Sequence, residues 1–166
     1  MTIQELEKEL KQNILENIYL LYGEETFLLE SSLKKMKRIF GELILGINYI
    51  QIDDTNVEEL ISDLETPAFG YEKKLVIVKN SGLFKKEGKR VNAKLNELKE
   101  KVYEYFSKNI EDIKAFNVVI FIEEELEKNN LFKLLDKQEK VCCFEKQTPT
   151  QIISKLLIKK KKMQKK

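Results

Sequence analysis

Tyr22-Gly23-Glu24-Glu25-Thr26-Phe27-Leu28-Leu29-Glu30 stands where a phosphate-binding loop would, between the apolar run Ile18-Tyr19-Leu20-Leu21 and an amphipathic stretch reaching about Phe40. A strand, a glycine turn and a helix are the setting in which backbone N–H groups cradle phosphate. The pattern GxxxxGK[ST] adds a lysine and a magnesium-binding hydroxyl. Counted from Gly23, the second glycine is Leu28, the lysine is Leu29 and the hydroxyl is Glu30. Glu24 and Glu25 suit the positive end of a helix dipole but repel a nucleotide. Gly23, Glu24, Glu25 and Thr26 therefore read as a degenerate phosphate loop that holds no nucleotide, and no metal or other cofactor is expected.

The remaining residues offer little for catalysis. The chain has no histidine, which removes Ser-His-Asp and Cys-His arrangements. A magnesium-dependent NTPase needs acids at the ends of the strands beside its loop, yet Leu75–Val78 runs into Lys79-Asn80, a cation where the metal would bind. Glu123-Glu124-Glu125 has no working phosphate loop opposite and reads as a solvated loop and helix N-terminus. Asp53-Asp54 precedes Thr55-Asn56 and reads as part of the cap of a helix starting at Val57, since one acidic pair rarely completes a metal site. Cys142 and Cys143 are adjacent on an expected strand, point to opposite faces and read as buried thiols in a reducing compartment. Lys79, Lys85, Lys86, Lys89 and Arg90 surround Phe84, a mixture able to grip single-stranded nucleic acid. A solvated loop anchored by Leu83 and Phe84 is the favoured reading of that segment.

The elements that carry these residues alternate. A first helix is expected from Ile3 to about Gln12, with Ile3, Leu6 and Leu10 at helical spacing. Strands are expected near Ile18–Tyr22, Asn48–Ile52, Leu75–Lys79, Asn117–Ile122 and Val141–Phe144. Helices are expected near Glu24–Phe40, Val57–Glu65, Arg90–Ser107 and Lys128–Lys137. Runs such as Leu75-Val76-Ile77-Val78 and Val118-Val119-Ile120-Phe121-Ile122 are apolar throughout, as in a parallel sheet covered on both faces. The expected fold is an α/β three-layer α/β/α sandwich on a five-stranded parallel sheet. Thr148-Pro149 breaks the pattern, so residues 1–146 read as one domain and 147–166 as the start of a second, truncated one.

Of 166 residues, 42% are apolar and 35% charged, enough for a core and a soluble surface. The N-terminus mixes acids and a base, unlike a signal peptide, and no apolar run approaches a bilayer span, so no membrane role is expected and the protein reads as cytoplasmic. Seven lysines and no acids lie between Lys155 and Lys166; the overall +2 less those seven cations leaves −5 on residues 1–154. That uneven balance differs from the broad basic footprint of a dedicated nucleic-acid-binding domain. The lysine tail reads as solvated.

One further segment invites a partner. In Leu64-Glu65-Thr66-Pro67-Ala68-Phe69-Gly70-Tyr71, Pro67 ends the preceding helix and Gly70 permits a sharp turn. Phe69 would then project at the amino edge of the sheet, whereas small-molecule sites lie at the carboxyl edge. From the residues alone, Phe69 closing the bottom of the core is favoured over Phe69 entering a protein groove.

Tyr19–Glu30 and Thr66–Asn80, with Ser81-Gly82-Leu83-Phe84-Lys85 and the Thr148-Pro149 region, closely resemble the delta subunit of the bacterial DNA polymerase III clamp loader. The resemblance runs the length of the chain. It implies a degenerate AAA+-like, P-loop-like domain without ATP hydrolysis, followed by the first helix of a lid domain. It implies a non-catalytic subunit of the DNA polymerase III holoenzyme that binds and opens the beta sliding clamp during DNA replication. In that family an aliphatic-Phe pair enters a pocket on the clamp, and Ala68-Phe69 falls on the pair, with Pro67 and Gly70 shaping the turn; Ala68 is smaller than the family's usual residue. Other implied partners are the gamma/tau and delta prime subunits, and primed DNA through the assembled complex. The alternatives are a DNA-binding module and another AAA+ clamp-loader subunit, such as an active ATPase.

Overall fold

β4 (Asn117–Glu123) is buried along its whole length, which requires cover on both faces and a hydrogen-bonded strand on each side. A computed structural model of the chain, describing residues 1–86, 92–145 and 157, supplies both. In chain order the elements are α1 (Ile3–Lys11), β1 (Ile18–Tyr22), α2 (Thr26–Phe40), β2 (Tyr49–Ile52), a 3-10 turn (Val57–Glu59) running into α3 (Leu60–Glu65), β3 (Lys74–Lys79), α4 (Ala93–Phe116), β4, α5 (Asn130–Asp136) and β5 (Val141–Cys143). The five strands form one sheet in the order β2-β3-β4-β1-β5. Every pairing is parallel, with Val76 opposite Val119 and Leu21 opposite Ile122. This is the α/β/α sandwich expected from the sequence.

The strand order dictates where the helices lie. The step from β1 to β2 crosses the sheet in one direction, and the steps through β3 and β4 to β5 return in the other. Crossovers of one hand must then use opposite faces. Accordingly α1 and α2 pack Leu6, Leu10, Leu29, Leu33 and Met36 on one face. Val57, Leu60 and Leu64, Val102 and Phe106 of α4, and Leu131 and Leu135 of α5 cover the other. Phe121 joins the second core at its centre, edge-on to Phe84 with ring centroids 5.5 Å apart.

Local chemistry sets the element ends. Thr2 and Glu5 form a reciprocal capping box on α1. Asn92 and Asn129 cap α4 and α5 through bonds from the Leu95 and Phe132 N–H groups. Several sequence expectations need correction, among them the buried place expected for Cys143, which is only half-buried, and the helix expected from Glu24, which begins at Thr26. The helix expected over Arg90–Ser107 extends to Phe116 and bends at Asn109, where φ and ψ leave the helical region; Ile110 and Ile113 restore the apolar stripe beyond the bend. Thr55-Asn56 does not cap the Val57 turn: Asn56 Oδ1 accepts from the Asp53 N–H at 2.8 Å, and Asp53 closes its own turn by accepting from Thr55. The helix expected from Lys128 begins at Asn130. Lys89, Arg90, Thr148-Pro149 and the closing helix, apart from Leu157, lie outside the described residues.

Candidate functional site

Phosphate binding at the carboxyl edge needs free backbone N–H groups, and three of those in the loop are already bonded to carbonyls. The Gly23 N–H donates to Glu123 O at 3.0 Å, Glu25 N–H to Phe144 O at 3.0 Å, and Thr26 N–H to Glu24 O at 2.9 Å. Gly23 adopts φ +135°, and a Cβ on it would fall 2.0 Å from Phe144 O. The glycine thus serves a close passage between the β1 loop and the end of β5 rather than an approach to a ligand. Glu24 is exposed, and Glu25 precedes α2 without a side-chain cap bond. Thr26, also exposed, opens the helix.

The two positions that would hold magnesium satisfy one another. Lys79, at the end of β3, places Nζ 3.3 Å from Glu30 Oε1, and both side chains are about half exposed. Beside them Glu123 ends β4 only 8% exposed, correcting its expected place in a solvated loop; Glu124 and Glu125 are exposed. Burial pushes the Glu123 carboxyl up to about 7 against a lowering hydrogen bond from the Ser81 backbone. Its Oε1 has no hydrogen-bond partner, although the residue lines a cleft of about 1220 Å³ with Ser81, Leu98 and Lys101. Among the described residues, no group of three or more Cys, Asp or Glu is placed to hold a metal ion. Phe84 cannot stack a base, because it is fully buried against Phe121.

The opposite edge carries the most exposed aromatic among the described residues, although Phe27 at the start of α2 is 77% exposed as well. α3 stops at Glu65, and Thr66 turns extended, at φ −78° and ψ 125°, as the residue before a proline must. Pro67 is exposed and Ala68 half-buried. Gly70 takes φ +83°, and the Tyr71 N–H closes the turn on Ala68 O at 3.0 Å. Phe69 stands at the tip, 85% exposed, so it does not close the core. A cleft of about 500 Å³ lies alongside, lined by Leu15, Phe40, Gly70 and Tyr71. Because all strands run parallel, the segments entering them gather at this edge, and they expose Ile14, Leu45, Ile47 and Phe116 as well.

Pro67, Ala68, Phe69 and Gly70 follow one another beyond the end of α3 and through a turn closed by the Tyr71 N–H on Ala68 O. The burial of Lys74, Asn117 and Glu123 was not expected from the sequence. Lys74 follows Glu72-Lys73 and looks like a solvated approach to the strand; the only signal was its position next to a run buried on both faces.

Residues 19–147, well over half of the chain, match the family model described as DNA polymerase III, delta subunit. A DNA polymerase III subunit delta of Bacillus subtilis (strain 168) is 30% identical over 76 residues, covering 44% of this chain and 22% of that protein. The solved structure of a Bacillus subtilis DNA clamp loader delta protein superposes with a TM-score of 0.68 at 23% identity, covering 88% of this chain and 43% of that one. That likeness is one of fold, and the chain spans less than half the length of these relatives.

Proposed function

The chain belongs to the DNA polymerase III delta-subunit family, and from that premise we propose that it binds and helps open the beta sliding clamp without hydrolysing ATP itself. One observation carries this reading: Phe69 is 85% exposed at the tip of an ordered turn. An aromatic held in water by a proline, a glycine and a backbone hydrogen bond costs solvation unless a partner covers it, and buried aromatic anchors dominate protein interfaces. Ile14, Leu45, Ile47 and Phe116, exposed on segments that enter the strands from the same edge, fit the same use.

In this account Phe69 enters a hydrophobic pocket on the clamp, while Ala68 contributes a small apolar contact. Pro67 and Gly70 fix the angle of approach. The chain is a non-catalytic, cytoplasmic subunit, and the gamma/tau and delta prime subunits and primed DNA are engaged through the assembled loader. Residues 147–166 belong to the start of its lid domain. An immobilised chain should retain the purified beta clamp of the same organism, and a Phe69→Ala chain should lose it. Equal recovery on both surfaces, or no retention by the unaltered chain, would refute the reading.

A further inference from the structure

A helix of only six residues, α3, carries Phe69 just beyond its end, and such a short helix cannot hold its own last turn. Three of the carbonyl groups of that turn, and that of Thr66 just beyond it, nevertheless have partners. Ser62 O accepts from the Thr66 N–H and from Thr66 Oγ1, at 3.1 and 2.8 Å. Asp63 O and Thr66 O both accept from the Lys74 ammonium. Leu64 O accepts from Asn117 Nδ2 at 3.4 Å, which also reaches Ile113 O at 3.2 Å.

Lys74 and Asn117 are register partners on β3 and β4, only 2% and 1% exposed. The neighbouring Lys73 secures the returning strand by donating to Asn17 Oδ1 at 2.7 Å and to Lys114 O at 3.3 Å. Burial lowers the Lys74 ammonium from its ordinary range, opposed by the nearby Asp63 charge. A sheet that needed only packing at this position would be better served by an apolar side chain, because a buried charge is expensive unless fully hydrogen-bonded. Lys74 instead spends its donors on the two carbonyls that flank the bend into Pro67.

We propose that Lys74, assisted by Asn117, is the positioning residue of the Phe69 contact: it ties the end of α3 and the bend before Pro67 to the first residues of the sheet, so that Phe69 is presented already oriented. The inference rests on the clamp-binding reading above. Holding the anchor in its bound geometry removes the ordering cost of association. Lys74 touches no partner and acts only through the turn.

The test uses the full chain and four variants, Lys74→Met, Asn117→Ala, Phe69→Ala and Phe69→Ala/Lys74→Met, with clamp affinity measured by surface plasmon resonance and local order by hydrogen exchange. Lys74→Met keeps the side-chain length but removes the donors. It should speed exchange of the Thr66 and Tyr71 amides, leave the Val118–Ile122 amides protected, and weaken clamp binding by roughly tenfold, as for loss of a charge-assisted hydrogen bond. Combined with Phe69→Ala it should cause no further loss, since the two act as a unit. Should Lys74→Met fail to fold, Asn117→Ala removes the milder half of the bracket and should show the same pattern more weakly. Affinity unchanged in a folded Lys74→Met or Asn117→Ala chain, while Phe69→Ala weakens it, overturns the bracket alone. So does an additive loss in the double variant. Affinity unchanged by Phe69→Ala overturns the clamp reading, and the bracket with it.

Discussion

Glu123 is where a single side chain governs stability. Its carboxyl is buried, one oxygen is unpaired, and its pKa stands near 7 against an unfolded value of 4.5. The folded chain therefore binds the extra proton between those values, so stability falls as pH rises from about 4.5 to about 7 and is lowest above that. A shift of this size corresponds to a penalty on the order of 3 kcal/mol. Glu123→Gln should raise the unfolding free energy from urea melts at pH 8 by that order, and the gain should shrink towards nothing near pH 4.5. A gain independent of pH would mean that packing, and not the proton, is responsible. Gly23 is the second such residue. A methyl group there meets Phe144 O at 2.0 Å on a backbone with φ +135°, so Gly23→Ala should cost about 3 kcal/mol from strain and overpacking together. A melt within 0.5 kcal/mol of the parent, on the order of an ordinary surface change, would contradict that packing.

Among the elements, the β1 loop and α2 decide the nucleotide question. Three N–H groups of the loop are already bonded to carbonyls, and Glu30 and Lys79 pair where metal ligands would stand. Calorimetry with ATP and Mg²⁺ should give no heat of binding; micromolar affinity would show that the loop opens and re-forms a cradle. The missing glycine, lysine and hydroxyl were legible at Leu28, Leu29 and Glu30. The strands were legible too, because unbroken apolar runs such as Leu75–Val78 admit few other uses. The length of α4 was harder to read: Asn109 interrupts the helical pattern, its Nδ2 bonding Tyr105 O at 3.0 Å, and the helix resumes beyond. The buried Lys74 and Asn117 could not be read, because their partners are main-chain carbonyls at and just past the end of α3, which carry no side-chain signature. Phe69 was ambiguous for a related reason: whether a turn points inward or outward depends on how the helix before it is tied down.

For the whole molecule, the sheet has two unlike edges. At the carboxyl edge, the passage between β1, β4 and β5 is closed by backbone bonds, and Phe84 is drawn into the core. The amino edge instead presents Phe69 on a braced turn. The account's central claim is that this aromatic serves binding and contributes little to folding. Phe69→Ala, followed in parallel by clamp affinity and urea melts, tests it most directly. A buried interface anchor is worth about 2–4 kcal/mol, so affinity should fall roughly 30- to 1000-fold with stability nearly unchanged. A core phenylalanine would instead cost about 3–5 kcal/mol of stability. Unchanged affinity for the beta clamp would contradict the account, whatever the melts show.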